Sequence, residues 1–323
     1  MNELLNSLVT PQRAEEARKV ELQTGYPLLV TDYFEQCARS ARDDSLARQV
    51  VPSEGELTEN VYFTTNPLKE QAPVAKNFSP VFLLQKYKAR ALLMTTNECF
   101  ANCRFCFRRH LRDHFPSKDL RPEHYAEALF QLANDPSLTE IILSGGDPLT
   151  LSDELFFWLL GEFQKIEHLT KIRVHTRAPI YEPARISENF SKKLEDFSEK
   201  TGKPLYFVLH VNHPDELSAE TLTAIRRLHR AGVMLLQQGV LLRNVNDSVE
   251  ILAELYEKLA ANHVIPYYLH QLDRVKGASH FEVPVEKGRE IIHALHNRLS
   301  GFAVPRYVRE IPGEPGKTPL EKY

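Results

Sequence analysis

Cysteine is scarce in this chain: four in 323 residues, with three of them inside eight consecutive positions. That distribution does not fit a disulfide-stapled secreted scaffold; clustered thiols in a reducing compartment read as metal binding or redox chemistry. The fourth, Cys37 in FEQCARS, sits in an expected helix and reads as a small buried apolar residue. No run approaches ~18 apolar residues, so no membrane span is expected. No block of like charges occurs and the net charge is −3, which argues against a broad nucleic-acid-binding face. The opening MNELLNSLVTPQRAEE turns acidic early and has no apolar signal core, so a cytoplasmic location is expected. Low-complexity tracts and short repeats are also missing. Homo-oligomerisation is compatible with all of this.

What is present is an ordinary globular composition, 42% hydrophobic and 26% charged. The length accommodates one αβ barrel of roughly 200–250 residues with additions, or two ordinary domains. Residues 1–80 read as a mainly helical N-terminal extension: Thr10-Pro11 is a helix start, and positions 50–80 carry prolines and little periodicity. From about residue 89 short apolar runs alternate with helical stretches. The runs are 89–96, 140–146, 171–176, 205–210, 233–239 and 265–271. A typical helix follows the fourth, with Ser218 as its cap, Leu222, Ile225 and Leu228 on one face, and Gly232 as its end. Six β-then-α units predict an α/β fold, a partial (β/α)6 TIM-like barrel with parallel strands over 81–300, followed by a C-terminal segment, 301–323. Each run ends in polar or glycine-rich residues, which would converge on one mouth and favours a closed or nearly closed ring over an open sheet.

Just past the first run comes Cys99-Phe100-Ala101-Asn102-Cys103-Arg104-Phe105-Cys106, a C-x3-C-x2-C spacing. Thiolates are soft ligands for zinc, copper(I) or iron–sulfur centres. Structural zinc takes four protein ligands, which His110 would have to complete here, whereas a cube held at three irons keeps one corner open. A zinc knuckle, or thiols without metal, stay open on spacing alone. One unit later lies Ser144-Gly145-Gly146-Asp147, where glycine lets backbone approach a ligand closely.

Together, the cysteine spacing and the later SGGDPL resemble the radical S-adenosylmethionine (SAM) superfamily. The resemblance implies a [4Fe–4S] cluster on Cys99, Cys103 and Cys106, with SAM chelated at the free iron and a 5′-deoxyadenosyl radical as product of its cleavage. It places Ser144, Gly145, Gly146 and Asp147 against the methionyl part of SAM, and His210 and Gln238 as further SAM contacts. HTRAPI (175–180) is family-like and is placed at the mouth without a role.

From DSLARQVVP (44–52) to KTPLEKY (317–323) the chain is similar to the lysine 2,3-aminomutase family. That resemblance implies pyridoxal phosphate as a second cofactor, attached at Lys317, with Lys86, Tyr87 and Arg90 on its phosphate. Arg108 would take the substrate carboxylate, and Asp273 and Glu310 its ε-ammonium. The implied reaction moves the amino group of L-lysine from C2 to C3, with a flavodoxin- or ferredoxin-type electron donor. Lys86 stands where typical members have arginine, Glu310 where they have aspartate, and GEPG replaces an all-glycine run. Six residues follow Lys317. That short form, with RNVND and LHQLDRVKGASHF, looks most like the bacterial branch that supplies (R)-β-lysine for elongation factor P, which implies a functional link to that factor and its β-lysine ligase. The alternatives are an aminomutase for another amino acid or for lysine catabolism and, in a different class, a zinc-binding regulatory module.

Overall fold

The computed structural model describes residues 2–70, 82–111 and 119–321. The boundary expected between 80 and 81, and the end of the irregular 50–80 stretch, lie outside them. One nine-stranded sheet runs in sequence order from β1 (Phe82–Tyr87) and β2 (Arg90–Thr96) through β3 (Glu140–Gly145), β4 (Lys171–Thr176), β5 (Leu205–His210), β6 (Met234–Leu241) and β7 (Ile265–Gln271) to β8 (Arg306–Arg309) and β9 (Thr318–Pro319). Neighbours from β2 to β8 are parallel, while β1 and β9 pair antiparallel at the two edges. The mainly parallel α/β partial barrel is thus as expected, and all six expected runs are strands. Two differences stand out. A seventh parallel strand, β8, continues the sheet, and among the described residues β1 and β9 remain edges, so the ring is not closed.

Alternation along the strands sorts side chains to the two faces. In β4, Ile172 and Val174 are buried toward the helices, while Arg173 and His175 face an inner cavity. In β3, Ile141 and Leu143 point out and Ile142 and Ser144 point in. The outer face packs under amphipathic helices such as Asp153–Gln164, which buries Phe156, Leu159, Leu160 and Phe163. Each such side chain stabilises the fold by about 1.5–3 kcal/mol. The helix Ala219–Arg230 is capped by Ser218, whose Oγ accepts from the Glu220 and Thr221 amides, and Gly232 follows it at φ 76°. Its buried stripe is Thr221, Ala224, Ile225 and Leu228; Leu222, expected there, is only partly covered.

Thr10 caps the helix Pro11–Thr24 as expected. Cys37 is half-buried in the helix Asp32–Ser40 and packs against the main core. The N-terminal segment also holds the cysteine loop. The Asn102 amide donates to the Leu29 carbonyl at 2.8 Å, and the Arg104 amide to the Gln49 carbonyl at 2.8 Å. Arg104 and Arg109 share the buried Glu56 at 2.7 and 2.6 Å. Burial pushes the Glu56 carboxyl up, but the two arginines outweigh it and hold it below the usual carboxylate range. Among the described residues no helix is long and apolar enough to cross a membrane.

Candidate active site

One cavity, at the carboxyl ends of the parallel strands, is lined by every residue singled out in the sequence for cofactor or substrate. Cys99, Cys103 and Cys106 enter it from the irregular loop after β2. Among the described residues no three His, Cys, Asp or Glu side chains group around a single ion, and His110 Nε2 lies 3.0 Å from the Lys276 carbonyl oxygen. A cube takes a separate thiolate at each of three corners, and the three cysteines could supply these.

The glycine pair at the end of β3 is required by the cysteine loop itself. Gly145 has φ +111°, and a Cβ there would lie 2.5 Å from the Thr96 carbonyl oxygen. A Cβ on Gly146 would lie 2.0 Å from the Glu98 carbonyl oxygen, one residue before Cys99. Backbone bonds from the Gly146 amide to Thr96 (2.6 Å) and from the Asp147 amide to Glu98 (2.7 Å) make the close approach. Gly146→Ala is therefore expected to lower unfolding free energy by about 3 kcal/mol, by displacing backbone that cannot move cheaply. A urea melt together with an iron assay on reconstituted protein checks this; an unchanged melt and full iron content would contradict it.

Asp147 lines the cavity but has its acceptors engaged. Its carboxylate receives Thr176 Oγ1 at 2.7 Å, the Arg177 amide at 2.7 Å and the Leu149 amide at 3.0 Å. It ties the end of β3 to that of β4, a structural duty not foreseen for a residue expected to meet SAM. His210 and Gln238 are register partners across β5 and β6. Burial, then the charge of Arg177, lowers the His210 pKa to about 3, so its ring is neutral; Nε2 lies 3.2 Å from Asn212 Oδ1. Gln238 Nε2 lies 3.4 Å from His175 Nδ1.

The two edge hairpins supply the remaining groups. β1 and β2 carry Lys86, Tyr87 and Arg90, with the Arg90 guanidinium 4.2 Å over the Tyr87 ring. The β8–β9 pairing, Arg309 opposite Thr318, sets Glu310 opposite Lys317, and Lys317 Nζ donates to Glu310 Oε2 at 2.8 Å. The Tyr87 hydroxyl donates to the other Glu310 oxygen, and Lys86 Nζ stands 3.8 Å from it. Burial first, then Glu310, raises the Tyr87 pKa. Asp273 lies just beyond β7; burial pushes its carboxyl up to about 7, against the pull of Lys317.

The Arg108 fork, expected to take the substrate carboxylate, is largely engaged within the protein. Nε and Nη2 hold Glu70 at 2.7 and 2.8 Å, and Nη1 reaches Ser144 Oγ at 3.2 Å. Lys86 Nζ is 3.1 Å from the same Glu70. Burial opposes ionisation of Glu70, yet Arg108, then Lys86, holds it at about 2. Glu70 was not singled out in the sequence, where it sits in a proline-bearing stretch without periodicity. Arg177 and Tyr181 were also missed as site residues. Arg177 Nη1 donates to Cys103 Sγ at 3.1 Å, and the Tyr181 hydroxyl lies 3.3 Å from the same sulfur. The HTRAPI segment holds Arg177 and ends one residue before Tyr181, and it is the nearest signal for the pair.

A mostly parallel partial barrel with a three-cysteine loop after its first parallel strand and a glycine pair after the second defines the radical SAM class of enzymes. The family model described as the Radical SAM superfamily matches residues 93–256. The chain is 42% identical over 289 residues to L-lysine 2,3-aminomutase of Escherichia coli (strain K12), covering 90% of this chain and 81% of that protein. It is 36% identical over 317 residues to L-lysine 2,3-aminomutase of Buchnera aphidicola subsp. Baizongia pistaciae, covering 98% and 90%. A radical SAM methyltransferase from Sphaerobacter thermophilus has a similar fold in its crystal structure, with TM-score 0.50 and 21% identity over 70% of this chain and 68% of that one. The chain belongs to the radical SAM superfamily and, within it, to the lysine 2,3-aminomutase family of isomerases. Membership of the superfamily implies a [4Fe–4S] cluster and SAM. The soft three-thiolate donor set and the glycine-lined wall beside it fit both.

Proposed function

We propose that this enzyme converts L-lysine to β-lysine by moving the amino group from C2 to C3, with pyridoxal phosphate carried on Lys317. The observation that supports it most is the single cavity shared by the three cysteines, Lys317 and two carboxylates suited to a lysine ammonium, Asp273 and Glu310. When bound, the cluster and SAM supply a carbon-centred radical and pyridoxal phosphate a ring that spreads an unpaired electron. In this reading Cys99, Cys103 and Cys106 hold the cluster, and Gly145, Gly146, His210 and Gln238 line the SAM pocket. Lys86, Tyr87 and Arg90 meet the phosphate, the two cations supplying charge and the phenol a donor. In this reading Arg108 Nη1, 3.2 Å from Ser144 Oγ, keeps one N–H for the substrate carboxylate while Glu70 fixes the rest of its fork. The residues thus orient the substrate carbon toward the radical source and keep water out.

RNVND and LHQLDRVKGASHF support the further reading that the β-lysine, as the (R) enantiomer, serves the modification of elongation factor P, with a flavodoxin or ferredoxin as reductant. Anaerobic reconstitution with iron, sulfide and pyridoxal phosphate, followed by lysine turnover with SAM and dithionite, tests the activity. β-Lysine as product supports it, and a loaded protein that leaves lysine untouched while isomerising another amino acid refutes the substrate. For the second reading, elongation factor P from cells lacking this enzyme is expected to lose its β-lysyl mass increment; an unchanged mass would rule the role out.

Asp273 carries a pH signature. A carboxyl raised to about 7 is neutral below that pH and charged above it. Attraction for the substrate ammonium therefore develops as pH rises, and kcat/KM, which reports groups of the free enzyme, should climb by up to about tenfold per pH unit below pH 7. In Asp273→Asn that limb should flatten. The same rising limb in the variant would remove Asp273 from substrate binding.

A further inference from the structure

We propose that Arg177 and Tyr181 are positioning residues for the cluster, donating to the Cys103 sulfur and raising the reduction potential of the iron–sulfur centre; this rests on the three cysteines being its ligands. The geometry is direct. Arg177 Nη1 is 3.1 Å from Cys103 Sγ and the Tyr181 hydroxyl 3.3 Å from it, with the guanidinium 4.5 Å over the Tyr181 ring. Both side chains are buried.

Burial of an arginine is costly, and although Nε has no hydrogen-bond partner both terminal nitrogens are engaged, so the fork is clamped rather than free to swing. Nη2 donates to Glu216 Oε1 at 3.1 Å and Gln49 Oε1 at 3.2 Å, while the Arg177 backbone amide is fixed by Asp147 at 2.7 Å. Glu216 and Gln49 are themselves buried and bonded to one another at 2.7 Å. With Nη2 engaged on that pair, Nη1 is left aimed at the sulfur. A purely structural arginine could satisfy Glu216 and Gln49 without presenting a second nitrogen to a thiol that lines the cavity.

The electrostatic consequence follows from charge. Reduction adds one electron to the cube and its sulfur ligands. A cationic donor and a hydroxyl on one ligand sulfur stabilise the more negative state more than the oxidised one. The same network continues to the SAM side of the cavity. Glu216 Oε2 accepts the Asn212 amide at 2.9 Å, and Asn212 Oδ1 lies 3.2 Å from His210 Nε2. Cys103 and His210 are thereby held by one set of buried polar groups, so the cluster ligand and the imidazole keep a fixed relation.

An EPR-monitored redox titration of the anaerobically reconstituted full chain tests this with Tyr181→Phe, Arg177→Lys and Arg177→Gln. Tyr181→Phe removes one hydroxyl and should keep wild-type iron and sulfide content. All three should titrate at more negative potential than wild type, Arg177→Gln furthest, with Arg177→Lys between it and wild type because the charge remains. For Arg177→Gln the reduced-to-oxidised ratio at fixed poise should fall about tenfold, equivalent to about 59 mV for one electron. If Arg177→Gln fails to hold a cluster, Tyr181→Phe and Arg177→Lys decide. Normal iron content with an unchanged potential in those two overturns the proposal. A wild-type chain that takes up no cluster overturns both it and the ligand assignment beneath it.

Discussion

Cys106→Ala is expected to lower turnover at least about 10³-fold, about 4 kcal/mol of transition-state stabilisation, while leaving the fold almost untouched. The two halves of that statement have separate causes. On the proposed ligand assignment, catalysis fails because the three thiolates leave one open corner; with two, a second iron loses its protein ligand and the cube is lost. The fold is expected to survive because other groups anchor the loop. Its backbone is fixed by the N-terminal segment through Asn102 and Arg104, and by the buried Arg104–Glu56–Arg109 group. Cys106 itself is half-buried, so deleting Sγ opens little cavity. Iron content and visible absorbance should therefore collapse in a protein whose circular dichroism and melting match wild type. A Cys106→Ala protein retaining full iron and turnover would contradict the assignment.

Lys317→Ala is expected to be as severe for turnover and opposite in spectroscopy. On the proposed role of Lys317, the near-visible absorbance of lysine-bound pyridoxal phosphate should vanish and the cluster remain, because Lys317 stands on the β8–β9 hairpin, remote in the chain from the cysteine loop. Removing the ammonium also strips Glu310 of its 2.8 Å partner and leaves it with the Tyr87 hydroxyl and the more distant Lys86. Lys317→Arg separates these effects. A guanidinium can keep the ion pair to Glu310 but cannot attach the aldehyde cofactor, so it should restore any lost stability and none of the absorbance. Recovery of turnover in Lys317→Arg would show that the lysine acts only as an ion-pair partner.

Much of the molecule was legible before its structure. The six long strands announce themselves through β-branched and aliphatic runs bounded by turns, and the residues at their ends do meet in one cavity. Three strands did not. β1 has six residues but buries only Phe82, so its half-exposed run shows no alternation. β8 has four residues and β9 two, too few for an alternation to register, and their pairing comes from the hairpin that sets Glu310 against Lys317. Internal pairing was the other blind spot. Arg108 and Asp147 carry ligand-binding chemistry in their residue types, but sequence does not reveal that Glu70 and the end of β4 already occupy them. Glu70 and Arg108 lie 38 positions apart, and Arg177 and Cys103 lie 74 apart, so only the folded chain brings either pair together. HTRAPI stands out as a segment, yet its arginine gains meaning only from the sulfur it reaches.

The most direct test of the account is EPR spectroscopy of the anaerobically reconstituted, dithionite-reduced protein with and without SAM. The account predicts about four irons per chain and a reduced [4Fe–4S] signal that changes shape when SAM is added, because an open iron accepts the ligand. A protein that takes up zinc in place of iron, or a cluster signal indifferent to SAM, would contradict it.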